Sequence, residues 1–433
     1  MKNKLNDRLE QFILKNDYEI TSVGLCRQKN GEDISEDCIK FRVKKKKSEA
    51  ELPTDKILPK KIEIDGKEYL TDVEEYTEEL PRLLACYSPN DPEILRLRGN
   101  PSLLTPLKGG QEIIMYPTGW TSEGEDYNFF VGTLGFFAID NVDNRIVGVT
   151  NAHVVCDKKV LASDRQNEST SQTYNTVEPI TWIFDNQQYR PGALSLDGNT
   201  INTTVLNIKR YSPFRLSGPN YTDLALLIMN PVHLNNNSYM VHNPTTVVQN
   251  EDYMPFATTA ELDNLLITNP RVYSVGRTTG PKGWGEVSSC RLRITQLALN
   301  VPVQDPEGTF NPTFGVPVIP FNDIIEFRYE DNSDHPIDSG DSGSMVFAEI
   351  DGVRKIIGVA FAGSTTTGLL CRIDRIVEEF NIRAWDSSHV LNESTPLQPT
   401  IVKHPITDAT SDLKQITVGG ETYYQAGTSN SGT

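Results

Sequence analysis

Short runs rich in valine, isoleucine, phenylalanine and tyrosine, separated by turn residues, dominate the chain from about residue 107 to 383. Runs such as 146–150, 224–229 and 285–298 have the composition of β-strands, and a helical pattern is found only at 374–380. The 30 glycines and 26 prolines supply the turns that many short strands require. Strands that follow one another without helices form sandwiches or barrels, so the pattern predicts a mainly β fold.

Two further regions flank these strands. Residues 1–106 combine an amphipathic helical pattern, with apolar residues at positions 5, 9, 12 and 13, with strand-like runs in the part from 20 to 74. This pattern predicts a small α+β N-terminal domain and a linker. Residues 384–433 are rich in serine, threonine, glycine, asparagine and proline, which predicts a largely flexible C-terminal tail. A chain of 433 residues is long enough for these three units.

The charge of the chain excludes some classes of partner. It carries 41 basic and 58 acidic residues, a formal net charge of −17. This balance argues against a general nucleic-acid binder and against docking on an anionic membrane, because both need a basic surface. No run of 18 apolar residues and no apolar signal region are found, so the sequence predicts a cytoplasmic protein without a membrane span.

The six cysteines are scattered and form no C-x-x-C pair, which argues against a zinc site. Without a secretory signal they are expected to remain thiols in a reducing compartment. No metal or cofactor is predicted. The sequence leaves the oligomeric state undecided.

Three segments have the residue types of a nucleophilic hydrolase. His153 follows a strand in the segment 150–155, Asp223 opens the apolar run 223–227, and Ser342 is flanked by glycine and aspartate in 340–343. A serine hydroxyl is a weak nucleophile at neutral pH, and a neutral imidazole can accept its proton and later return it to the leaving group. A carboxylate on the other ring nitrogen orients that imidazole. Together, and in this order, the three segments predict such a site.

In these segments the chain resembles the chymotrypsin-fold (trypsin-like, S1/PA clan) serine peptidases, which carry a T-A-A-H-like box, a D-[IL]-A-L-L box and a G-D-S-G box in this order. The resemblance covers 107–383 and implies two six-stranded antiparallel β-barrels with the site between them. It implies His153 as general base and acid, Asp223 as its orienting carboxylate and Ser342 as nucleophile of a serine endopeptidase. The backbone N–H groups of Gly340 and Ser342 would then form the oxyanion hole.

A closer resemblance is to the intracellular bacterial and plant trypsin-like group that includes the NARROW LEAF 1 proteins. It rests on the segments 132–135, 276–280 and 358–364, and on an N-terminal stretch that runs from 43 to 73. The Gly-Arg-Thr-Thr-Gly segment 276–280 is expected to form a tight connection between strands.

The sequence departs from secreted relatives in two ways. Val154 stands where many of them have a cysteine, so the disulfide beside the catalytic histidine is absent. No Ile-Val-Gly-Gly processing site precedes the barrels, so Asp341 needs a partner other than a new amino terminus.

The predicted substrate-binding residues are Pro336, Ala360, Phe361, Ala362 and Gly363. Pro336 stands where trypsins have their pocket aspartate, and Ala360 is the nearest match to the histidine of glutamyl endopeptidases. Neither a basic nor an acidic preference is therefore indicated. The segment 360–363 is expected to form the pocket wall and to pair with the backbone of a protein or peptide substrate.

Other interpretations compete with this one. An α/β-hydrolase would need the order Ser, Asp, His along the chain and a second glycine at the position of Ser344. Within the trypsin-like interpretation, Ser339 beside Gly340 is a rival nucleophile. A trypsin-like scaffold without catalysis could act as a protein-binding module. The N-terminal domain could instead be the functional centre, as a receptor for a regulatory protein partner. An active peptidase would need restraint, which the N-terminal domain or the tail is predicted to supply.

Overall fold

The computed structural model describes residues 20–77, 80–83, 109–116, 130–155, 180–184, 206–212, 220–229, 254–276, 278–281, 285–298, 316–329, 337–364, 366–385, 413–418 and 421–426. Most of the described residues are in β-strands. In chain order the strands are β1 Ile20–Lys29, β2 Glu32–Val43, β3 Lys61–Ile64, β4 Lys67–Glu75, β5 Arg82–Leu83, β6 Gln111–Tyr116, β7 Phe130–Leu134, β8 Phe136–Asp140, β9 Arg145–Thr150, β10 Ile180–Phe184 and β11 Leu206–Tyr211. They continue with β12 Ala225–Met229, β13 Val272–Gly276, β14 Gly280–Pro281, β15 Gly285–Ala298, β16 Val316–Tyr329, β17 Met345–Ile350, β18 Val353–Gly363, β19 Gly368–Arg372, β20 Ile382–Ala384, β21 Leu413–Val418 and β22 Glu421–Ala426.

Helices are few and short in the described part of the chain. They are α1 Ala152–Val155, α2 Thr259–Asp263, α3 Leu265–Thr268 and α4 Ile373–Phe380, with 3₁₀ turns at Glu49–Glu51 and Thr54–Lys56. The sequence predicts only α4. The other three have four or five residues, too few for helical periodicity to show. The predicted N-terminal amphipathic helix lies outside the described residues.

The first sheet contains eight strands in the order β20-β8-β9-β12-β11-β10-β6-β7. Every neighbouring pair in it is antiparallel. Gly135 separates β7 from β8, and a side chain there would collide with the Gly343 carbonyl of the other sheet. The two sheets therefore touch through a residue that only glycine fits.

The second sheet contains a closed ring of six antiparallel strands, β13-β17-β18-β19-β16-β15, in which β15 also pairs with β13. This ring is a six-stranded barrel. The prediction of a mainly β chain is confirmed, and the two sheets are consistent with a two-barrel fold.

The N-terminal strands extend the second sheet rather than standing apart from it. β1 pairs with β15, and β2, β4 and β3 follow in that order. Arg42 of β2 forms a bidentate ion pair with the buried Glu326 of β16, and one of its two bonds is 2.8 Å long. At the other end of the chain, β22 pairs in parallel with the start of β16. Residues distant in sequence are thus tied to the second barrel.

The apolar core has two parts. One large cluster includes buried side chains from both sheets, for example Phe136, Leu226, Phe327 and Phe361. A smaller cluster lies under the N-terminal strands and includes Ile20, Val23, Ile39, Phe41, Val43, Ile62 and Ile64. Since both sheets contribute to one core, the surface between them is held in a fixed geometry.

Candidate active site

His153 and Asp223 come together because their strands pair. β9 ends at Thr150, just before the helix that carries His153, and Thr150 lies opposite Ala225 of β12. Asp223 lies two residues before the start of β12. The antiparallel pairing of β9 and β12 therefore brings together two residues that are 70 positions apart in the sequence. Both predicted strand-end positions are found at the same edge of the first sheet.

The Asp223 carboxylate holds the His153 residue at two points. Oδ2 of Asp223 hydrogen-bonds to the imidazole Nδ1, and Oδ1 accepts from the backbone N–H of His153 at 3.1 Å. The Asn151 side chain donates to the backbone carbonyl of Asp223 at 2.6 Å. The backbone N–H of Asp223 donates to the Cys371 sulfur of the second sheet at 3.3 Å. The aspartate is thus fixed from both sides, which fixes the plane of the imidazole.

The second ring nitrogen of His153 is left without a partner. Nε2 is buried and makes no hydrogen bond to any described residue. A buried polar atom without a partner costs free energy, so its retention indicates a role outside the resting structure. A neutral imidazole whose Nδ1 is bonded to a carboxylate presents Nε2 as a proton acceptor. This is the arrangement that a general base requires.

Ser342 lies in a tight turn of the second sheet, just before β17. Its carbonyl accepts a hydrogen bond of 2.7 Å from the N–H of Thr133 in β7 of the first sheet. Its hydroxyl donates to the Phe361 carbonyl at 3.2 Å. No hydrogen bond joins Ser342 to His153 among the described residues. The structure therefore assembles the histidine with the aspartate, while the serine hydroxyl is bonded within its own sheet.

The turn around Ser342 requires its glycines. Gly340 has a φ of 96° and Gly343 a φ of 97°, in the left-handed region that side chains disfavour. A Cβ on Gly343 would also collide with the Thr133 carbonyl. The hydroxyl of Thr133 donates to the Gly340 carbonyl at 2.9 Å. Thr133 therefore binds both sides of the serine from the opposite sheet.

Asp341 has the alternative partner that the sequence requires. Its carboxylate accepts from the N–H groups of Thr278 at 2.8 Å, Thr279 at 3.0 Å and Asp338 at 2.9 Å. Burial raises the pKa of this carboxyl, while these backbone donors act in the opposite direction. β13 and β14 pair through Gly276 and Gly280, as expected of a tight connection between strands. That connection also anchors the serine turn.

The predicted oxyanion donors remain available. Within the described part of the chain, neither the N–H of Gly340 nor that of Ser342 donates to a backbone carbonyl. Two neighbouring backbone donors in a glycine turn can bind a negatively charged oxygen.

The predicted pocket wall lies in β18, directly beside the serine. Ala360 exchanges backbone hydrogen bonds of 2.9 Å with Gly343 and Ser344, and Phe361 packs its ring against Phe321 in the core. Ala362 and Gly363 follow at the end of the strand. Pro336, the remaining predicted substrate-binding residue, lies outside the described residues.

Sequence reasoning did not assign three groups that the structure places at the site: Thr133, Asn151 and the backbone of Thr278 and Thr279. Thr133 lies in the segment 132–135, and Thr278 and Thr279 lie in the segment 276–280. Both segments are among those that resemble the trypsin-like group. Asn151 stands two residues before His153, where its short amide can reach the aspartate backbone. Their hydrogen bonds cross between segments far apart in sequence, so spacing alone could not reveal them.

The described residues contain no group of three or more histidine, cysteine, aspartate or glutamate side chains arranged to hold a metal ion. In the same part of the chain, no helix has the length and apolar character needed to cross a bilayer.

Comparison with known proteins gives structural similarity only. No family model and no curated protein matches the chain. A glutamic-acid-specific serine protease described as using a histidine triad in substrate binding is 11% identical, with a TM-score of 0.33, over 64% of this chain and all of its own. A Nocardiopsis protease is 13% identical with a TM-score of 0.33, over 65% of this chain and 100% of its own. A Cellulomonas bogoriensis chymotrypsin is 12% identical with a TM-score of 0.32, over 64% and 99%. Similarity at this level does not assign an activity to the chain.

Proposed function

We propose that this protein is a serine endopeptidase of the trypsin-like kind, with His153, Asp223 and Ser342 as its catalytic triad. The observation that carries the proposal is the buried imidazole of His153, which is bonded to Asp223 through Nδ1 and has no partner at Nε2 among the residues that the structure describes. A structural histidine in a core would have both nitrogens bonded. Ser342 supplies the nucleophile in a turn that closes against the same region.

The reaction would proceed through an acyl-enzyme. Nε2 of His153 accepts the proton as Oγ of Ser342 attacks the peptide carbonyl, and the N–H groups of Gly340 and Ser342 bind the resulting oxyanion. His153 then gives that proton to the leaving amine. Water enters, His153 accepts its proton, and hydrolysis of the ester releases the acid and restores the serine. Asp223 stabilises the imidazolium during both steps.

Before the first step the serine hydroxyl must leave the Phe361 carbonyl and turn toward Nε2. This change is a switch of the serine between staggered rotamers about one side-chain bond. Such a rotation is compatible with catalysis, and catalytic hydrogen bonds often tighten only when substrate binds. The bond to Phe361 is also what favours a second candidate function, a catalytically inactive scaffold that binds proteins.

We also propose an organisation of the whole chain. Residues 107–383 form the peptidase unit, and 1–106 and 384–433 are added regions, of which the first or the last restrains activity. The chain acts in the cytoplasm on protein or peptide substrates, and the N-terminal region can bind a regulatory partner. We propose that the chain belongs to the group that includes the NARROW LEAF 1 proteins, because it shares with them the segments given in the sequence analysis.

Hydrolysis of a labelled protein substrate such as fluorescent casein tests the proposal. The full-length protein is compared with Ser342→Ala and with the matched variant Ser339→Ala, which removes the rival hydroxyl three residues away. We expect activity in the wild type and in Ser339→Ala, and none in Ser342→Ala. Equal hydrolysis by wild type and Ser342→Ala would overturn the assignment. Binding of casein without hydrolysis by all three proteins would support the scaffold.

A further inference from the structure

The short strand β5 lies between two strands of the second barrel. It pairs in parallel with the end of β15 and antiparallel with the end of β18, where Leu83 lies opposite Ala362 and Arg82 opposite Gly363. The Pro81 carbonyl accepts a hydrogen bond of 2.9 Å from the N–H of Ala298. Backbone pairing on two sides therefore holds a segment from the N-terminal third of the chain in the barrel.

Two leucines anchor the same segment. Leu80 is 1% exposed and Leu83 is 3% exposed, although both belong to a stretch without other regular structure in the described residues. Leu83 is part of the large core cluster of the two sheets. Burial of a leucine contributes roughly a tenfold or larger factor to the equilibrium between docked and released segment. The segment 80–83 is thus bound, rather than merely passing over the surface.

The edge that β5 covers is the one next to the nucleophile. Ala362 and Gly363 pair with β19 on one side, and β5 takes the other side. The residue before them, Phe361, provides the carbonyl to which the Ser342 hydroxyl donates at 3.2 Å. Any extended peptide that pairs with this edge lies beside Ser342, because strand addition places its backbone along the strand it joins.

β5 runs along β18 toward Ser342. Arg82 lies opposite Gly363 and Leu83 opposite Ala362, so the antiparallel register runs toward Phe361 and therefore toward the nucleophile. Ser342 itself is 0% exposed. We propose that the segment 80–83 occupies the backbone position of a substrate on β18 and restrains the peptidase from within the same chain. This inference rests on the proposed function and specifies its restraining element.

A binding experiment tests the proposal without requiring catalysis. The full-length protein is prepared as Ser342→Ala and as Ser342→Ala with Leu83→Asp, which places a charge in the leucine's buried site and releases the strand. The probe is a fluorescein-labelled peptide with the sequence Glu-Leu-Pro-Arg-Leu-Leu, which reproduces residues 79–84. Fluorescence anisotropy should show the double variant binding the peptide about tenfold more tightly or better, in line with the loss of one buried leucine contact.

Two further variants keep the test decisive. Ser342→Ala with Val353→Asp carries the same new charge on a side chain that is 46% exposed, and it should bind the peptide no better than Ser342→Ala. Ser342→Ala with Leu83→Ser loosens the segment more gently and should give an intermediate affinity, which decides the matter if Leu83→Asp fails to fold. Equal affinity of Ser342→Ala and its folded Leu83 variants would overturn the inference. Failure of the peptidase assignment would appear separately, as equal casein hydrolysis by wild type and Ser342→Ala.

A second inference concerns two cysteines far from this edge. Cys26 of β1 and Cys38 of β2 are direct antiparallel partners, and both are buried. Their sulfur atoms are 3.0 Å apart, and each thiol is also near the Gln28 carbonyl, at 3.3 Å and 3.1 Å. Directly opposite residues in antiparallel strands have Cα atoms about 4.5–5.5 Å apart, inside the range of about 4.4–6.8 Å for disulfides.

The pair is also chemically differentiated. The hydrogen bond from the Cys38 thiol lowers the pKa of Cys26, and the nearby Lys40 acts in the same direction. The pKa of Cys38 is raised, because its proton is held in that bond. A thiolate next to a protonated thiol provides an attacking sulfur and a resolving sulfur.

The geometry points to a reversible disulfide between Cys26 and Cys38, formed with a hydroperoxide as oxidant. The Cys26 thiol loses its proton and its sulfur attacks one peroxide oxygen. The O–O bond breaks, a sulfenic acid forms, and the leaving hydroxide takes up that proton as water. The Cys38 sulfur then attacks the Cys26 sulfur, the S–O bond breaks, water leaves and the S–S bond forms. With hydrogen peroxide, two thiols and one peroxide give one disulfide and two waters.

Peptide mapping of the full-length protein tests this inference. The protein is exposed to graded hydrogen peroxide, denatured in iodoacetamide without reductant, digested and analysed by mass spectrometry. We expect a cross-linked Cys26–Cys38 peptide, two hydrogens lighter than the dithiol form, at peroxide concentrations that leave Cys290 and Cys371 alkylated. Those two buried thiols are matched controls, since Cys290 contacts the Leu262 carbonyl and Cys371 the backbone of Asp223. Alkylation of Cys26 and Cys38 to the same extent as the controls would overturn it.

Discussion

The two halves of the site are held in different ways. In the first sheet, His153 and Asp223 are joined by two hydrogen bonds and follow directly from the register of β9 and β12. In the second sheet, Ser342 lies in a glycine turn held by Thr133 and by the carboxylate of Asp341, with its hydroxyl on Phe361. In the proposed triad, the acid–base half is therefore preset by strand pairing, whereas the nucleophile half depends on a turn and on one side-chain rotation.

Because of this difference, substitutions in the two halves of the site should affect activity and stability differently. Changes to His153 or Asp223 remove proton transfer but leave the surrounding strands paired. Changes to the serine turn disturb the contact between the two sheets, since Thr133 binds both Gly340 and Ser342. The first kind should abolish activity at constant stability, and the second should lower both.

The largest expected effect comes from removing the base. His153→Ala should lower kcat for casein or a peptide substrate on the order of 10⁶-fold, as removal of one member of such a triad does elsewhere. Steady-state kinetics measure it. A loss of less than about tenfold would mean that His153 takes no part in proton transfer, and would contradict the assignment of His153 and Asp223 as the acid–base half of the site.

The next effect comes from changing the orienting group while keeping its shape. Asp223→Asn should lower kcat about 10⁴-fold, because an amide stabilises the wrong tautomer of His153 and cannot stabilise the imidazolium. Thermal unfolding should show a folded protein, since Asn151 still bonds to the backbone carbonyl of residue 223. Unchanged kcat in the folded variant would contradict the role given to Asp223.

The serine turn is tested by a pair of glycine substitutions. Gly343→Ala should destabilise the protein by about 3–4 kcal/mol, because the new Cβ collides with the Thr133 carbonyl at a φ of 97°. Gly352→Ala has a φ of 74° but no atom within 4 Å of the new Cβ, so it should cost only about 1–2 kcal/mol.

Urea unfolding of the two glycine variants separates backbone strain from collision between the sheets. Equal losses of unfolding free energy would show that the contact of Gly343 with Thr133 is not important. A peptidase assay on Gly343→Ala should also show reduced activity, whereas Gly352→Ala should match the wild type.

The smallest expected effect is a pH dependence of stability from Asp341. Burial raises its pKa in the folded state above the ordinary aspartate value of 3.8, so the folded protein holds this proton more tightly than the unfolded chain. Its contribution to stability is therefore most favourable below pH 3.8 and is lost as the pH rises through the folded pKa. The difference in unfolding free energy between wild type and Asp341→Asn should shift against the wild type over that range. A shift in the opposite direction would mean that the three backbone donors outweigh burial.

Candidate site residues can be identified from the sequence, whereas the contacts that bring them together cannot. His153, Asp223 and Ser342 follow from residue types next to strands, and most strand runs are found within a few residues of their predicted bounds. The bonds from Thr133 to the serine turn and from Thr278 and Thr279 to Asp341 depend on tertiary packing, which no local pattern encodes.

Strand β5 is another feature that local sequence patterns do not predict. The segment 80–83 lies after the strand-like runs predicted in the part from 20 to 74, yet it forms strand β5 inside the second barrel. Its place is decided by an open edge more than 200 residues away in sequence, and that edge cannot be recognised before the barrel is closed. The helices α1, α2 and α3 are missed for a simpler reason, since each is one turn long.

Covalent labelling of the folded protein with a fluorophosphonate, followed by mapping of the modified residue, tests the central claim most directly. The reagent reacts with a serine whose proton is taken by a neighbouring base. A single adduct on Ser342 in the wild type and in Ser339→Ala, with none in His153→Ala, is the predicted result. No adduct on the folded wild type, or an adduct on Ser339, would contradict the assignment of Ser342 as a nucleophile activated by His153.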